Sequence, residues 1–458
     1  MADQTDYTGT IARFVRDLRY DQLPAAAVGK AIDAFVDCSG VMLAGVRDDA
    51  GQIAIALARD TGGKPEALVT GTDLRVPSAQ AAFVNAILAH ALDYDDMHGG
   101  AYCHITSILV PVVYALGAPT HIDGKAAIEA YVAGLEVIRH LGGAIGMRGA
   151  VPAMHPTPLT GTIGAACSAA RLMGLGEQQS RIALALAASS TAGLRSNIGS
   201  MTKPFHTGNA ARNGVMAAQL AARGFTANPA IFDVALGYLD AFGPEELPAD
   251  FLKGLGHSFR AHEGLEFKAY PACGRAHAAL DALFFLMRAF SIDADDVDHI
   301  ECICSDNVPA SLPHHHARTG AEGKFSMQYS LSVGLLDGAA GVAQYTDSRV
   351  LQDDVQAFQH KIRYVHPPEL RGWKPGPVQS DETVVLHLKD GRVLSHREQR
   401  AAGRMGGDVS RSDLERKFRD CATRSLSLRQ VDQALASLLA LESLDDISTL
   451  EDHLAAAA

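Results

Sequence analysis

One short stretch of the chain carries most of its candidate acid–base groups. Residues 90–98 read HALDYDDMH, so two histidines and three aspartates fall close together, and His104 follows a Gly-Gly break. Carboxylates this close repel one another unless a cation or a proton compensates. The cluster predicts general acid–base chemistry, with a divalent-metal site or a solvated, cap-forming group of acids as alternatives. The residue order matches none of the usual metal motifs, so no metal is predicted.

A second cluster places basic side chains beside a predicted helix start. The stretch 199–212 reads GSMTKPFHTGNAAR, and the helix is predicted to be capped at residues 207–209. A helix N-terminus has unpaired N–H groups and a positive dipole end, which suit an anion. The prediction is that this N-terminus converges with Lys203, His206 and Arg212 on one anion site. A capped helix with solvated basic residues is the equal alternative.

Three smaller features add candidates of the same kind. Lys268, Cys273 and Arg275 lie before a predicted helix, where the thiol is interpreted as packed rather than nucleophilic because no base is paired with it. His155 precedes a helix rich in small residues and is predicted either to cap that helix or to face an anion. Tyr329 lies on a predicted helix and is either a phenolic acid or a core residue.

Several function classes are excluded by what the chain lacks. It has no G-x-G-x-x-G after a strand, no P-loop, no G-x-S-x-G and no paired C-x-x-C, so no cofactor is predicted. The net charge of −12 argues against a nucleic-acid partner. The longest apolar stretch, residues 108–118, is too short to span a membrane. Without a secretory segment, and with seven cysteines interpreted as free thiols, the protein is predicted to be cytoplasmic.

The elements that must position these residues are mostly helices. The chain has 458 residues, of which 47% are apolar, so it can bury a large core. Helical periodicity dominates to about residue 265, with small-residue helices near 123–147, 158–174 and 178–194. The middle block mixes helices near 275–290 and 326–340 with a strand at 297–304 and a hairpin at 383–397 turned by Asp-Gly. The predicted fold is mainly α, with a helical domain formed by residues 1–265 and 408–458 and an inserted smaller α+β lid domain at 266–407.

Five stretches occur together in the order found in one known family. They are AHALDYDDMH, MHPTPLTGTIGAA, SMTKPFHTGNAARNG, KAYPACGRAHAALDA and FSMQYSLSVGLLDG. In these motifs the chain resembles the MmgE/PrpD family, which includes 2-methylcitrate dehydratase, cis-aconitate decarboxylase and iminodisuccinate epimerase. The resemblance implies a large helical domain with a smaller lid, a homodimer, a site between the domains and no cofactor.

The same resemblance assigns roles to individual residues. The catalytic groups fall on Asp93, His104, His155, Lys203, Lys268 and Tyr329. Substrate contacts are expected at Met97 and, from the basic clusters described above, from His206, Arg212 and Arg275. Met97 is a departure, since the dehydratase and decarboxylase have Thr there and the epimerase Ser. A second departure is His104-Ile-Thr-Ser in place of His-Pro-Ser.

The expected chemistry is proton transfer at a carbon beside a carboxylate. The two lysines would hold substrate carboxylates and the developing negative charge, while Asp93 or His104 moves the proton. The leading expectation is a cofactor-independent lyase, of the dehydratase or decarboxylase type, acting on a small di- or tricarboxylate. The alternatives are an epimerase of an amino- or imino-dicarboxylate such as iminodisuccinate, and a non-catalytic carboxylate-binding protein.

Overall fold

The computed structural model describes residues 6–145, 153–248, 250–372, 381–399 and 409–456. The helices before residue 245 are α1 Tyr7–Asp17, α2 Ala25–Gly45, α3 Asp49–Thr61, α4 Ser78–Ala91, α5 Thr106–Gly117, α6 Gly124–Ile145, α7 Pro156–Leu172, α8 Glu177–Ser189, α9 Thr202–Ala222 and α10 Tyr238–Phe242. The later helices are α11 His277–Phe290, α12 Val308–Ser311, α13 Gly320–Gly323, α14 Met327–Asp337, α15 Asp347–Val350, α16 Asp353–Gln359, α17 Arg411–Ala422, α18 Leu428–Leu439 and α19 Thr449–Leu454. The mainly α-helical character predicted from periodicity is confirmed.

The strands are short and form small sheets. They are β1 Ala67–Leu68, β2 Arg75–Val76, β3 Met97–His98, β4 Leu265–Glu266, β5 Val297–Ile303, β6 Ile362–Val365, β7 Glu382–Leu388 and β8 Val393–Glu398. The largest sheet has the order β6-β5-β7-β8, with β6 parallel to β5 and the other pairs antiparallel. The predicted strand and the Asp-Gly hairpin correspond to β5 and to β7–β8.

Small residues let the central helices pack closely, as their composition predicts. A Cβ added to Gly214 in α9 would lie 2.3 Å from the Cβ of Ala165 in α7. A Cβ on Gly208 would lie 2.7 Å from the backbone oxygen of Phe83 in α4. Larger residues would force these helices apart. The close approach of α9 to α4 brings the first turn of α9 beside the last turn of α4.

The predicted start of α9 is wrong by several residues. The helix begins at Thr202, so Thr207 lies inside it, and the Thr207 hydroxyl donates to the backbone oxygen of Ala86 in α4 at 3.0 Å. Pro204 does not interrupt the helix because the first N–H groups of a helix have no intrahelical partner. Lys203 is consequently in the first turn of α9 rather than in the preceding loop.

Two separate regions of the chain share the largest hydrophobic core. That core combines buried residues from Ile11 to Phe267 with residues from Leu414 to Leu454. A smaller core joins α11, α14 and the inner face of the four-stranded sheet, from Ala276 to Leu388. The predicted boundary at residues 407 and 408 lies outside the described residues. Among the described residues, no helix is long and apolar enough to cross a membrane.

Candidate functional site

Asp93 is the centre of the most densely connected charged cluster. It follows the end of α4 and has a left-handed backbone, with φ +50°, at a position where helices usually place glycine. Its carboxylate is buried and pairs with two ammonium groups. Lys203 Nζ lies 2.5 Å from Oδ1 and Lys268 Nζ lies 3.0 Å from Oδ2. Lys268 also donates to the backbone oxygen of Asp93 at 2.7 Å, which supports the strained turn.

Two distant parts of the chain deliver these lysines. Lys203 comes from the first turn of α9, which packs against α4. Lys268 follows β4, and β4 pairs with β3 through Met97 opposite Glu266 and His98 opposite Leu265. The loop after α4 and the loop after β4 are therefore held side by side by a two-residue ladder. Met97 contributes through this backbone pairing, and its side chain is half-buried.

His90 connects Lys203 to a second carboxylate, that of Asp95. Its Nδ1 lies 2.8 Å from Asp95 Oδ2, and its Nε2 lies 2.7 Å from Lys203 Nζ. Because an ammonium group can only donate, Nε2 must accept, so Nδ1 carries the proton that is donated to Asp95. Burial lowers the pKa of His90 to about 3, against the opposing effect of Asp95. His90 is therefore a neutral imidazole that orients Lys203.

His104 presents a free ring nitrogen beside Asp93. Its Nδ1 donates to the backbone oxygen of Asp96 at 2.8 Å, which fixes the tautomer and leaves the lone pair on Nε2. That Nε2 lies 3.9 Å from Asp93 Oδ1, and no hydrogen bond within the described part of the chain occupies it. Burial lowers the pKa of His104, so the imidazole is neutral near pH 7. A neutral imidazole with an unoccupied nitrogen can act as a proton acceptor.

The charges of the cluster nearly balance. Burial tends to raise the pKa of Asp93, but Lys203 and Lys268 outweigh it and hold that pKa below its ordinary value. Asp95 stays ionised because His90 and His104 contact it, whereas burial raises the pKa of Asp96 to about 8. Two ammonium groups thus face two carboxylates. The alternative of a solvated group of acids is wrong, since all three aspartates are at most 3% exposed.

The same side chains offer enough donor atoms for a metal ion. One atom each from His90, Asp93, Asp95 and His104 lies within 4.8 Å of the others. Both oxygens of Asp93, however, already face ammonium groups, and His90 Nδ1 already serves Asp95. Two positive charges at contact distance would repel a divalent cation. The donor set therefore fits proton transfer better than metal binding.

His155 and His206 form a second pair beside the cluster. Their Nδ1 atoms lie 3.1 Å apart, so one ring donates and the other accepts. Burial lowers the pKa of both rings, and the charge of Lys203 lowers each further. His155 is the residue before α7, yet its side chain makes no capping hydrogen bond. The pair is thus neutral and buried near Lys203, so its rings can offer hydrogen bonds but no positive charge.

Two predicted site residues, Arg212 and Tyr329, do not join this cluster in the structure. Arg212 is nine positions after Lys203 on α9, which places it about half a turn around and roughly 13 Å along the helix. It contacts Asn209 and stacks 5.1 Å from the ring centre of Phe83, so the predicted convergence of Lys203, His206 and Arg212 is wrong for Arg212. Arg275 is half-buried in the turn Gly274–Ala276.

Tyr329 is the other predicted site residue that lies outside the Asp93 cluster. It is fully buried in a small core of the region after residue 270, where its hydroxyl donates to the backbone oxygen of Gln344. Its ring packs 5.5 Å from that of Tyr345, measured between centroids. Tyr345, rather than Tyr329, lines the cavity beside Asp93.

That cavity has a volume of about 680 Å³ and lies between two parts of the chain. Its walls come from α2–α3, from the last turn of α4, from the first turn of α9, and from residues 319–348. His90, Asp93 and Lys203 line it, whereas His104 and Lys268 contact Asp93 without being among the described lining residues. The volume suits a small organic anion.

Two further buried lysines brace the site, and sequence reasoning missed both. Lys324 Nζ donates to the backbone oxygen of Ala91 at 2.8 Å and lies 3.4 Å from Asp48 Oδ2. Lys417 in α17 pairs with Asp37 at 2.7 Å and donates to the backbone oxygens of Tyr94 and Lys268. A signal for Lys417 existed, because it falls within the apolar stripe Leu414, Phe418 and Cys421. Lys324 directly precedes the FSMQY motif.

Known proteins match the chain over nearly its whole length. The family model described as MmgE/PrpD N-terminal domain matches residues 9–249, and the MmgE/PrpD C-terminal domain matches residues 270–441. The cis-aconitate decarboxylases of Mus musculus and Homo sapiens are each 27% identical over 97% of this chain and over 92% and 93% of their own lengths. A cis-aconitate decarboxylase of Aspergillus terreus (strain NIH 2624 / FGSC A1156) is 24% identical over 97% of this chain and 94% of its own. With both family models matched in order, the chain belongs to the MmgE/PrpD family.

Proposed function

We propose that this chain is a cofactor-independent lyase that acts on a small tricarboxylate. The preferred reaction is loss of carbon dioxide from an unsaturated substrate such as cis-aconitate, and dehydration of a hydroxylated tricarboxylate is the related possibility. The names of the similar proteins support decarboxylation.

One observation carries the proposal. A neutral imidazole, His104, directs an unoccupied nitrogen toward a buried carboxylate that is held by two ammonium groups. Proton transfer at carbon needs a base or acid and, beside it, positive charge for the carbanion-like centre. The Asp93 cluster supplies both within one buried region.

Lys203 and Lys268 are proposed to hold the substrate carboxylates. The resting cluster is close to neutral, so a bound tricarboxylate would bring an excess of negative charge. That charge raises the pKa of any nearby imidazole and favours its protonation. We therefore expect His104 to gain a proton at Nε2 when the substrate binds.

In the decarboxylation step, the bond between the carbon skeleton and one carboxylate breaks. The electron pair remains on the skeleton and spreads through the double bond toward a neighbouring carboxylate near the ammonium groups. His104 then delivers its Nε2 proton to a carbon of this anion and is reprotonated from solvent. Dehydration would instead use His104 Nε2 as a base that takes the proton beside a carboxylate. The electron pair of that C–H bond forms the double bond as the hydroxyl leaves, and the imidazolium returns the proton to give water.

The other predicted residue roles are also part of this proposal. His155 would orient a carboxylate, and Tyr329 would act only if its segment moves toward Asp93. Substrate contacts are proposed for Met97, His206 and Arg275, whereas Arg212, which contacts Asn209 and Phe83, lies too far along α9 to share a ligand with Lys203. The lid domain at 266–407, the homodimer and the cytoplasmic location are likewise proposed.

The test is incubation of the chelator-treated enzyme with cis-aconitate in deuterium oxide, followed by proton NMR. The proposal expects carbon dioxide release and one solvent deuterium in the product. Citrate, 2-methylcitrate and iminodisuccinate are assayed in parallel, and Lys203→Met is the inactive control. Water loss from citrate or 2-methylcitrate would keep the lyase and change the leaving group. Exchange into unchanged iminodisuccinate, with no lyase activity, would replace the proposal with an epimerase.

A further inference from the structure

A second group of histidine and carboxylate side chains lies on the four-stranded sheet, apart from the Asp93 cavity. His299 on β5 and His387 on β7 are direct cross-strand partners, and their ring centroids are 4.1 Å apart with planes at 8°. Glu301 projects from the same face of β5, two residues along, and its Oε2 lies 3.3 Å from His387 Nε2. One donor atom from each residue lies within 4.8 Å of the others. None of the three lines the cavity beside Asp93.

A β-bulge equips this group with an orienting carboxylate. The pairing of β5 with β7 shifts between Val297 and His299, so Asp298 is an extra residue in β5. The irregularity allows Asp298 Oδ2 to lie 2.8 Å from Nδ1 of the adjacent His299. When a carboxylate accepts a hydrogen bond from Nδ1–H of a histidine, it fixes the histidine tautomer and leaves the lone pair of Nε2 available to a metal ion. Histidines that bind metals characteristically have such a partner.

We propose that His299, Glu301 and His387 bind a divalent transition-metal ion of the zinc class. Two imidazole nitrogens and a carboxylate form a common three-residue zinc set, with water completing the coordination. Neighbouring ligands of a tetrahedral zinc ion lie about 3.3 Å apart, given bonds of roughly 2.0–2.1 Å. The atoms of Glu301 and His387 already have that spacing, and a donor atom of His299 lies within 4.8 Å of both.

The local charges favour a cation here more than at Asp93. No lysine ammonium contacts these three side chains among the described ion pairs, whereas two contact Asp93. Arg363 is the partner of Glu301 on β6, but its side chain is exposed. The three residues are half-buried, which gives an ion access from solvent. A bound ion would crosslink β5 to β7 without entering the candidate active site.

The test uses the full-length, chelator-treated protein titrated with zinc chloride in a calorimeter, and with cobalt chloride by visible absorption. We expect one zinc ion per chain with a micromolar or tighter Kd. His299→Ala and His387→Ala should weaken binding at least 100-fold. Asp298→Asn retains all three ligands and should weaken it about 10- to 100-fold. His121→Ala is the matched control, because His121 also pairs with an aspartate, Asp446, but has no second histidine beside it.

Three results would overturn the proposal. The first is wild-type zinc binding weaker than about 1 mM. The second is binding that survives in both His299→Ala and His387→Ala. The third is binding that is lost in His90→Asn, which would move the ion to the Asp93 cluster. Circular dichroism checks that each variant is folded. If the histidine variants unfold, Asp298→Asn decides the matter, since it alters an exposed side chain and leaves the sheet intact.

Discussion

Asp93 adopts a left-handed backbone conformation, which is unfavourable for a non-glycine residue. Contacts with Lys203 and Lys268 stabilise it in this conformation. Lys268 bonds both its carboxylate and its backbone oxygen, while Lys203 holds the other carboxylate oxygen. Strain retained at a buried charged residue is typical of sites that must hold a fixed geometry. At the residue scale, the role of each histidine is set by its hydrogen bonds. His98 uses both nitrogens on backbone groups, whereas no hydrogen bond among the described residues reaches His104 Nε2.

The first prediction concerns His104. His104→Gln should lower kcat for cis-aconitate about 10²- to 10⁴-fold, because the group that moves the proton is gone. Substrate affinity, measured by calorimetry, should change much less since both lysines remain. His121→Gln, at an exposed surface position, is the control and should leave kcat unchanged. A variant at His104 with wild-type turnover would remove this residue from the proposed chemistry.

At the scale of elements, a C-terminal helix braces loops that come from the middle of the chain. Lys417 in α17 donates to the backbone oxygens of Tyr94 at 2.7 Å and Lys268 at 3.0 Å, one from each of the two loops that meet at Asp93. Its third partner is the buried carboxylate of Asp37 in α2. The helix therefore acts on the site through loop position rather than through contact with a substrate. We regard Lys417 as a positioning residue.

Replacement of Lys417 should separate stability from positioning. Lys417→Met leaves Asp37 buried without its cation and should cost about 3–5 kcal/mol of unfolding free energy. Adding Asp37→Asn should restore much of that stability, yet kcat should stay about 10- to 100-fold low because both loop oxygens still lack their donor. Urea unfolding and steady-state assays measure the two effects. Arg416→Met, at an exposed neighbour, is the control, and recovery of kcat in the double variant would contradict the positioning role.

Lys324 connects the segment after Thr319 to the end of α4. Its ammonium group donates to the backbone oxygen of Ala91, two residues before Asp93. Lys324→Met should raise KM and lower kcat together, because one wall of the cavity loses its attachment to the site. Lys389→Met, on the exposed hairpin turn, should do neither. An unchanged KM in a folded Lys324 variant would show that this contact does not shape the cavity.

At the scale of the whole molecule, burial of many titratable groups links folding to pH. Burial lowers the pKa of these histidines: His90, His98, His104, His140, His155, His206, His262 and His316. Because unfolded histidines have a pKa near 6.5, unfolding takes up protons below that pH. Burial raises the pKa of a smaller set of carboxyls, which has the opposite effect: Asp33, Asp37, Asp96 and Glu136.

Because the buried histidines outnumber the buried carboxyls, their effect on the free energy of unfolding should prevail in mildly acidic solution. The free energy of unfolding should therefore fall as the pH drops from about 6.5 toward 4, the folded-state value of His98. Asp96→Asn should steepen this fall. The folded wild type keeps the Asp96 proton up to about pH 8, so its carboxyl favours folding as the pH decreases. Losing that contribution adds about 1.4 kcal/mol per pH unit to the slope. Urea midpoints at pH 7, 6 and 5 measure it, and a flat profile would contradict the prediction.

Local sequence patterns were sufficient to predict the helical character, the strand and hairpin of the later region, and four of the residues that meet at the site. Asp93, His104, Lys203 and Lys268 are recognisable because their residue types and motifs are local features. Helix periodicity and an Asp-Gly turn are also local, since they depend on side chains a few positions apart.

Which of these groups are in contact depends on how the elements pack against one another. The Asp93 loop is contacted by lysines from three separate elements, namely Lys203, Lys268 and Lys417. Which lysines reach this loop depends on helix packing, such as the close contact of Gly208 with α4. Arg212 shows the limit of local reasoning, because the true start of α9 turns it away from Lys203. Whether an aspartate is solvated or buried, and which histidine nitrogen is free, likewise depends on partners far away in the chain. Those long-range contacts have no signature in the spacing of neighbouring residues.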